Sequence, residues 1–142
     1  MKIRKATLKD AKMILELFNS DKNLWGTNIK CEKYNIGEIK YYIKDKNSFV
    51  VVCETDNKIV GAFFAESWKD YIHLDDIVVD KKHRHHGIGR QMLGYLENLA
   101  KRERGNLIEL ITNVNNKKMQ KLLRKNKYRR GKKFFFYFKE LK

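Results

Sequence analysis

Apolar residues recur every three to four positions in several segments of the chain, which is the spacing of amphipathic helices. The first of these segments begins at Thr7, a predicted N-cap with Asp10 at the capping-box position, and continues to Phe18. The other helices are predicted over residues 36–43, over 88–104 with Gly105 as C-cap, and after a cap at Asn115 or Asn116, with Met119, Leu122 and Leu123 on the apolar face.

Runs rich in β-branched and aromatic residues lie between the helical segments and predict strands. The turn-prone residues 54–58 join two of these runs and indicate a hairpin. Strands are predicted near the start of the chain and over residues 49–53, 59–65, 71–79, 107–111 and 132–139, the run at 107–111 being a buried strand and the aromatic run at 134–138 a buried or edge strand. The order of elements, with no internal repeat and no linker, predicts one mixed α/β domain over residues 1–142.

Residues 19–35 lose the helical period and carry Trp25 and Tyr34 among polar residues, which is typical of a substrate loop. The two cysteines, Cys31 and Cys53, lack the spacing of a zinc site or a disulfide framework. Cys53 is predicted to lie in the core, and both are interpreted as reduced thiols.

Composition limits the classes of function. The 32 Lys and Arg residues against 17 Asp and Glu give a net charge of +15, so the chain attracts anions: a phosphorylated cofactor, an acidic acceptor or nucleic acid. No apolar run is long enough to span a bilayer, and the start of the chain lacks the apolar region of a signal peptide. We therefore expect no membrane partner and a cytoplasmic location.

The most informative segment is residues 75–93, in which a strand is followed by a basic loop and then a helix. Gly87 and Gly89 carry no Cβ, so an anion can approach the backbone N–H groups at the positive end of the helix. Met92 occupies the third glycine position of a dinucleotide fingerprint, and no Walker A pattern occurs. The loop therefore predicts a phosphate cradle of another kind.

The loop motif Arg84-x-x-Gly87-x-Gly89, after a strand and before a helix, resembles the acyl-coenzyme A loop of the Gcn5-related N-acetyltransferase family. The segment from Asn116 to Tyr128 is similar to the second signature of that family. The resemblance implies an acyl-CoA N-acyltransferase-like fold, with a mostly antiparallel central sheet flanked by helices. It also implies acetyl-CoA as co-substrate, no metal, and transfer of an acetyl group to a primary amine of a small molecule or a protein by direct attack on the thioester.

The resemblance assigns the cofactor contacts to two groups of residues. Main-chain groups of the strand are expected to bind the pantetheine arm, and the backbone N–H group of Val78 or of a neighbour is a candidate oxyanion donor. Loop residues are expected to hold the pyrophosphate, with Arg84 either adding charge or bracing the loop. The predicted cofactor-binding residues are Ile77, Val78, Val79, Arg84, His85, His86, Gly87, Ile88, Gly89, Arg90 and Asn116.

A carboxylate near the thioester is the expected general base, and the predicted catalytic residues are Asp75 and Asp76. Since neighbours on a strand face opposite ways, at most one of them is expected to point into the site, and Glu66 is a third candidate. Leu123 occupies the position where the family usually has the tyrosine that protonates the departing thiolate. Tyr128 and Tyr137 are alternative acids, although each is better interpreted as a packed aromatic residue.

Two further interpretations stay open, and a metal site is not favoured. The missing tyrosine and the net charge of +15 allow a catalytically impaired coenzyme A-binding or nucleic-acid-binding module on the same fold. The histidines at positions 83, 85 and 86 do not have the spacing of a zinc site. The aromatic strand over 134–138, if it lies at an exposed edge, could pair with a second copy in a homodimer.

Overall fold

The computed structural model describes residues 1–21 and 34–141. The described strands form one sheet of five strands in the order β1-β2-β3-β4-β5, antiparallel except for the parallel pair β4–β5. The strands are β1 (Lys2–Lys5), β2 (Ser48–Thr55), β3 (Lys58–Trp68), β4 (Tyr71–Val79) and β5 (Leu107–Leu110). The helices are α1 (Ala11–Ser20), α2 (Ile36–Lys44), α3 (Ile88–Arg102) and α4 (Lys117–Lys125). The mixed, mostly antiparallel sheet flanked by helices confirms the predicted fold class.

Each face of the sheet carries its own hydrophobic cluster. On one face, α3 packs against the sheet through fully buried residues such as Met92 and Leu96, with α4 beside it. On the other face, α1 and α2 pack through Ile14, Phe18 and Ile39, all fully buried. The sheet is thus the middle layer of three, and the segment from β4 into α3 links the middle layer to one outer layer.

Local sequence signals explain where the helices begin. The backbone N–H group of Thr7 donates a hydrogen bond of 2.7 Å to Oδ2 of Asp10, which confirms the predicted capping box, although a 3₁₀ turn over Leu8–Asp10 precedes α1. Asn35 caps α2 in the same way, because its side-chain oxygen accepts from the N–H group of Glu38 at 2.9 Å. Such reciprocal caps satisfy N–H groups that the helix itself leaves without acceptors.

The end of α3 differs from the prediction. Gly105 was expected to take the capping conformation, but the residue with a positive φ, 58°, is Arg104. Gly105 is the residue after the left-handed Arg104, and its N–H group donates to the carbonyl of Ala100 at 2.8 Å. This is the hydrogen bond of a Schellman motif. Gly105 matters for close approach, because a Cβ there would lie 3.3 Å from the same carbonyl oxygen.

One predicted strand is present but not buried, and another predicted strand is absent from the described residues. The run 107–111 was expected to be a buried strand, but β5 lies at the edge of the described sheet, and Leu107 is 57% exposed. Residues 132–139 were expected to form a strand, yet no strand is assigned there, and the five aromatic side chains from Phe134 to Phe138 are 62% to 88% exposed. A strand requires a neighbour to accept its hydrogen bonds, and among the described residues none lies beside this segment.

Two other expectations concern the predicted substrate loop and the cysteines. The predicted substrate loop lies mostly in residues 22–33, which include Trp25 and Cys31, outside the described residues. Cys53 is fully buried, as predicted, and burial raises the pKa of its thiol. Among the described helices, none is both long enough and apolar enough to cross a membrane.

Candidate active site

The parallel pairing of β4 with β5 covers only the first part of β4. It ends where Leu74 lies beside Leu110, while β4 continues to Val79. The N–H group of Asp80 donates to the carbonyl of Val60 at 2.8 Å, which sets the alternation of hydrogen bonds between β4 and β3. By that alternation Val78 bonds to β3, whereas the main-chain groups of Ile77 and Val79 point to the opposite side.

A polar main-chain edge therefore opens beyond Leu74, on the side where β5 has ended. The carbonyl of Val79 already accepts a hydrogen bond from Nε of Arg84 at 2.8 Å. The N–H groups of Ile77 and Val79 and the carbonyl of Ile77 remain directed into the opening. This edge offers an extended, amide-bearing ligand the hydrogen bonds of an added strand.

A β-bulge interrupts β4 at the point where the opening begins. Phe64 of β3 lies opposite Asp76, and the next residue, Ala65, lies opposite Leu74, so Asp75 is the extra residue. The bulge breaks the alternation of side chains and places Asp75 and Asp76 on the same face, towards α1 and α2. The expectation that the two side chains lie on opposite faces is therefore wrong, although only Asp75 lines the cavity beside the bulge.

Beside the bulge is a small cavity between β2, β3, β4 and the start of α2. It is lined by Tyr34, Tyr42, Ser48, Phe49, Val50, Phe64, Ala65, Glu66 and Asp75. Its acidic groups come from adjacent strands, and its aromatic rings pack edge to face, with the centroids of Tyr34 and Phe64 4.7 Å apart. The cavity thus combines negative charge with aromatic surface, in a chain whose overall charge is +15.

Asp75 is the carboxyl group whose ionisation the site changes most. Its side chain keeps 30% of its surface exposed, yet burial of the carboxyl group and then the negative charge of Glu66 raise its pKa to about 7. His73, whose Nε2 lies 3.7 Å from Oδ1 of Asp75, acts in the opposite direction. A carboxyl group in this range can hold or release a proton near neutral pH.

Asp76 has a different environment. The hydroxyl of Tyr34 donates a hydrogen bond of 2.6 Å to Oδ2 of Asp76, and the Tyr34 ring packs against Phe18, Tyr42 and Phe64. Burial raises the pKa of Tyr34, and the charge of Asp76 adds to that effect. Asp76 is therefore held as a hydrogen-bond acceptor, while Asp75 faces the cavity.

The loop between β4 and α3 leads directly into the N-terminus of α3. After a 3₁₀ turn over Lys81–His83, His85 and Gly87 take positive φ values of 67° and 80°, and α3 begins at Ile88. The first N–H groups of α3 have no acceptor within the helix and lie at its positive end. Among the described residues no heavy atom lies within 4 Å of a Cβ built on Gly87, so there is room for an anion beside the loop. The residues present thus fit a phosphate group.

Gly89 serves packing. A Cβ at that position would lie 3.2 Å from Cδ2 of Leu122, so the glycine allows α4 to approach α3. Arg84, for which two roles were predicted, braces the loop: besides its bond to Val79, its terminal nitrogen donates to Oδ2 of Asp21 at 2.7 Å. Of the two glycines, Gly87 is therefore the one beside open space.

The histidines of the loop also make internal contacts. Nδ1 of His83 lies 2.6 Å from Oδ2 of Asp80, and this contact lowers the pKa of Asp80. Nδ1 of His86 lies 2.8 Å from the carbonyl oxygen of Arg84. No group of three or more metal-ligating side chains is present in the described part of the chain.

On α4, Asn116 is the N-cap, and its side-chain oxygen accepts from the N–H group of Met119 at 3.1 Å. Leu123 and Tyr128 pack against the cluster around α3, as expected for Tyr128 as a packed aromatic residue, and burial raises the pKa of Tyr128 to about 12. Tyr137 is 87% exposed, so the expectation that it is packed is wrong. The described residues around the cavity include no tyrosine from α4.

Sequence reasoning missed the bulge and the roles of Asp21 and Tyr34. The bulge did leave a signal, because the residues that face α3 are Ile72, Leu74, Ile77 and Val79, with one interval of three instead of two. A strand whose apolar period breaks at an acidic pair indicates a bulge there. The contacts of Asp21 and Tyr34 join residues far apart in the chain, so no local pattern predicts them.

Comparison with known proteins agrees with this fold. The sequence model of the acetyltransferase (GNAT) family matches residues 11–128. A Bacillus halodurans protein, solved as a tetramutant, has a TM-score of 0.83 at 18% identity, with 96% of this chain and 99% of that chain covered. The aminoglycoside N-acetyltransferase AAC(6')-Iy in complex with CoA has a TM-score of 0.81 at 13% identity, covering 99% of this chain and 100% of that chain. The aminoglycoside 6'-N-acetyltransferase AAC(6')-IG from Acinetobacter haemolyticus has a TM-score of 0.80 at 18% identity over 100% of both chains.

These structures share the fold, and the match of the family model over most of the length shows the family. The chain belongs to the GNAT family of acetyltransferases, N-acetyltransferases that use acetyl-CoA as co-substrate.

Proposed function

We propose that the protein transfers the acetyl group of acetyl-CoA to a primary amine of a small cationic molecule. The observation that carries the proposal is the junction at the β4 bulge: the open main-chain edge for the cofactor begins where Asp75, with a pKa of about 7, faces a cavity. A nucleophile bound in the cavity and a thioester bound along the edge would meet there.

The cofactor site uses main-chain groups along its length. The pantetheine arm would bond to Ile77 and Val79, whose main-chain groups face the opening, while Val78 serves the sheet. The pyrophosphate would bind the N–H groups at the start of α3 and in the loop, with Arg90 adding charge, and Asn116 would approach the arm from α4. The loop residues proposed for the pyrophosphate are His85, His86, Gly87, Ile88, Gly89 and Arg90.

Acetyl-CoA would supply an acetyl thioester activated for attack by an amine. In that reaction Asp75 would accept the proton of the ammonium group, directly or through water, because its pKa lies near neutral pH. The N–H group of Ile77 would donate a hydrogen bond to the thioester oxygen as charge develops on it. Asp76, held by Tyr34, would keep the bulge in place.

Leu123 cannot donate a proton to the leaving thiolate. Tyr128 is packed in the α3 cluster with a raised pKa, so water is the proposed proton donor at this position. Because a thiolate with an ordinary pKa near 8.5 leaves readily at neutral pH, the reaction does not depend on a side-chain acid.

The cavity supports a cationic acceptor. Asp75 and Glu66 attract an ammonium group, and the aromatic residues Tyr34 and Tyr42 also line the cavity, where aromatic side chains favour cations. Two of the similar structures are named as aminoglycoside N-acetyltransferases, whose acceptors are amines. A small cavity beside a mostly basic surface favours a compact cation over a basic protein tail.

The test is thiol release from acetyl-CoA with a panel of amines: diamines, aminosugars, aminoglycosides and a lysine-rich peptide. We expect free coenzyme A with at least one small polyamine or aminosugar and little with the peptide. Calorimetric titration with acetyl-CoA serves as the control for binding. Binding without release for any amine would leave only a coenzyme A-binding module, and release with the peptide alone would overturn the proposed acceptor class.

A further inference from the structure

The sheet face that carries Asp75 also carries a histidine two positions earlier on the same strand. Ile72 and Leu74 of β4 pack in the α3 cluster, so the side chain of His73 between them lies on the opposite face. The bulge places Asp75 on that face as well. Nε2 of His73 lies 3.7 Å from Oδ1 of Asp75. Asp75 lines the cavity and His73 does not, so the imidazole approaches the carboxyl group from outside the space proposed for the amine.

The other ring nitrogen of His73 is held from the neighbouring strand. The parallel pairing places Glu109 of β5 directly beside His73, and Nδ1 of His73 lies 3.1 Å from Oε1 of Glu109. Glu66, which lies opposite His73 on β3, is instead directed to Trp68, whose Nε1 donates to Oε2 of Glu66 at 3.1 Å. Glu109 is therefore the carboxylate that fixes the ring, and it does so with Nε2 towards Asp75.

The two contacts form a row of carboxylate, imidazole and carboxylate across β5 and β4. A neutral imidazole with its proton on Nδ1 donates to Glu109 and keeps the lone pair of Nε2 for the carboxyl group of Asp75. A protonated imidazole has an N–H group on each nitrogen, and a carboxylate oxygen faces each of them. At 3.7 Å the contact with Asp75 is short enough for charges to interact and to be bridged by one water molecule.

We propose that His73 is a positioning residue for the proposed general base. Glu109 fixes the imidazole at Nδ1, while Nε2 holds the carboxyl group of Asp75 at the cavity and stabilises its ionised form. The inference rests on the proposed function, because His73 acts through Asp75 and has no contact with the thioester.

The charges around Asp75 explain why such a partner matters. The titratable groups that face it are His73, Glu66 and Asp76 from the sheet, and Tyr34 and Tyr42 from the side of α2. Burial raises the pKa of Asp75, and the negative charges of Glu66 and Asp76 raise it further. His73 lowers the pKa of Asp75. Without His73, both burial and the neighbouring carboxylates would favour the protonated form, which cannot accept a proton from the amine.

Titration of Asp75 in the free protein tests the inference without any amine. Carbon NMR of protein labelled in its aspartate carboxyl groups measures the midpoint, and the signal that Asp75→Asn removes is that of Asp75. His73→Gln keeps a side-chain amide but has no charge at any pH, so the Asp75 midpoint should move to higher pH. An unchanged midpoint in His73→Gln would overturn the inference.

The role of Glu109 has its own signature. Nitrogen NMR of the neutral imidazole reports which ring nitrogen of His73 carries the proton. In the parent the proton should lie on Nδ1, and in Glu109→Ala this preference should be lost. Glu103→Ala, which removes an exposed carboxylate at the end of α3, is the matched control and should leave the imidazole as in the parent. A tautomer that is the same in all three proteins would show that Glu109 does not fix the ring.

The pH profile separates positioning from a structural role. Below the midpoint, each unit by which the pKa of Asp75 rises lowers its ionised fraction about tenfold, so kcat/KM of His73→Gln should fall by that factor at acid pH. Well above the midpoint Asp75 is ionised in both proteins, and their rates should converge. An equal loss at every pH would contradict the inference. If the parent itself acetylates no amine, the proposed function fails, and the Asp75 midpoint still decides whether His73 acts on that carboxyl group.

Discussion

The hydroxyl of Tyr34 lies 2.6 Å from Oδ2 of Asp76 and joins the segment that leads into α2 to the β4 bulge. Tyr34→Phe removes this donor and keeps the ring. Since a hydrogen bond to a charged group contributes about 1.5 to 3 kcal/mol, we expect a loss of that order in the free energy of unfolding. Denaturant titration measures it, with Tyr41→Phe, exposed on α2, as the control. Equal stability of the two variants would show that the hydrogen bond contributes little.

Asp75 is expected to set the pH dependence of the reaction. With a pKa of about 7, its carboxyl group accepts a proton only when ionised, so kcat/KM should rise with pH and level off above neutrality. Asp75→Asn should lower kcat by a factor of about 100 to 10,000 and remove this rise. The control Asp56→Asn lies in the β2–β3 turn, with φ 48°, and should keep the parent profile. A profile that survives in Asp75→Asn would assign the base to Glu66 or Asp76.

The same carboxyl group should lower stability where it is ionised. Its pKa is raised from 3.8 to about 7, so folding favours the protonated form, and that contribution is present below the unfolded pKa. It is lost as the pH rises through the folded pKa. The Asp75→Asn variant should therefore gain stability relative to the parent as the pH rises from the unfolded pKa of 3.8 to the folded pKa of about 7.

Thermal unfolding of both proteins at several pH values measures that difference. The net charge is +15 at pH 7 and increases as the pH falls, so charge repulsion destabilises both proteins at low pH. Comparing variant with parent at each pH cancels this shared effect. Because part of the Asp75 side chain is exposed, solvent screening reduces the effect. A pH-independent difference would contradict the raised pKa.

Variants of the ion pair between Arg84 and Asp21 test whether Arg84 supports coenzyme A binding by holding the loop in place or only by its positive charge. If Arg84 acted only through its charge, removal of the Asp21 carboxylate would leave the loop more positive and strengthen coenzyme A binding. Because Arg84 bonds to both Asp21 and the carbonyl of Val79, we expect Asp21→Asn to weaken binding about tenfold, the effect of a charged hydrogen bond. Calorimetric titration of Asp21→Asn, Arg84→Gln and the double variant with coenzyme A measures whether the two residues act together. Strictly additive losses of binding free energy would contradict a shared role in holding the loop.

Gly87 and Gly94 provide a matched pair for the phosphate cradle. Both have open space at the Cβ position, but Gly94 lies within α3 and Gly87 at its start. Gly87→Glu should abolish coenzyme A binding, since it adds bulk and negative charge beside the pyrophosphate N–H groups. Gly94→Glu should bind as the parent does. If both variants bind equally well, the loop is not the pyrophosphate site.

Local patterns in the sequence predicted most of the fold and the cofactor loop. The capping box at Thr7, the hairpin after β2 and the start of α3 at Ile88 depend on neighbouring residues, so their signals lie within a few positions. The bond between Arg84 and Asp21 joins positions 63 apart, and that between Tyr34 and Asp76 positions 42 apart. Such contacts depend on how the layers pack, which no local pattern records.

The wrong prediction of a strand over residues 132–139 has a different cause. These residues have strong strand propensity, which is why the sequence predicts a strand there. Strand formation also requires an available edge, which is a property of the whole sheet. Because no neighbouring strand is available among the described residues, this segment stays exposed and forms no strand despite its strand propensity.

The bulge in β4 also makes the length of that strand a functional property. With Asp75 inserted, four apolar residues of β4 face the α3 cluster: Ile72, Leu74, Ile77 and Val79. Two carboxyl groups face the opposite side of the sheet, and no apolar residue is lost from the α3 cluster. Deleting one residue here would restore the alternation and turn either the apolar pair or the acidic pair to the wrong face. Homologous chains should therefore vary more freely in the identity of residues along β4 than in their number, and a single-residue deletion should harm both the core and the site at once.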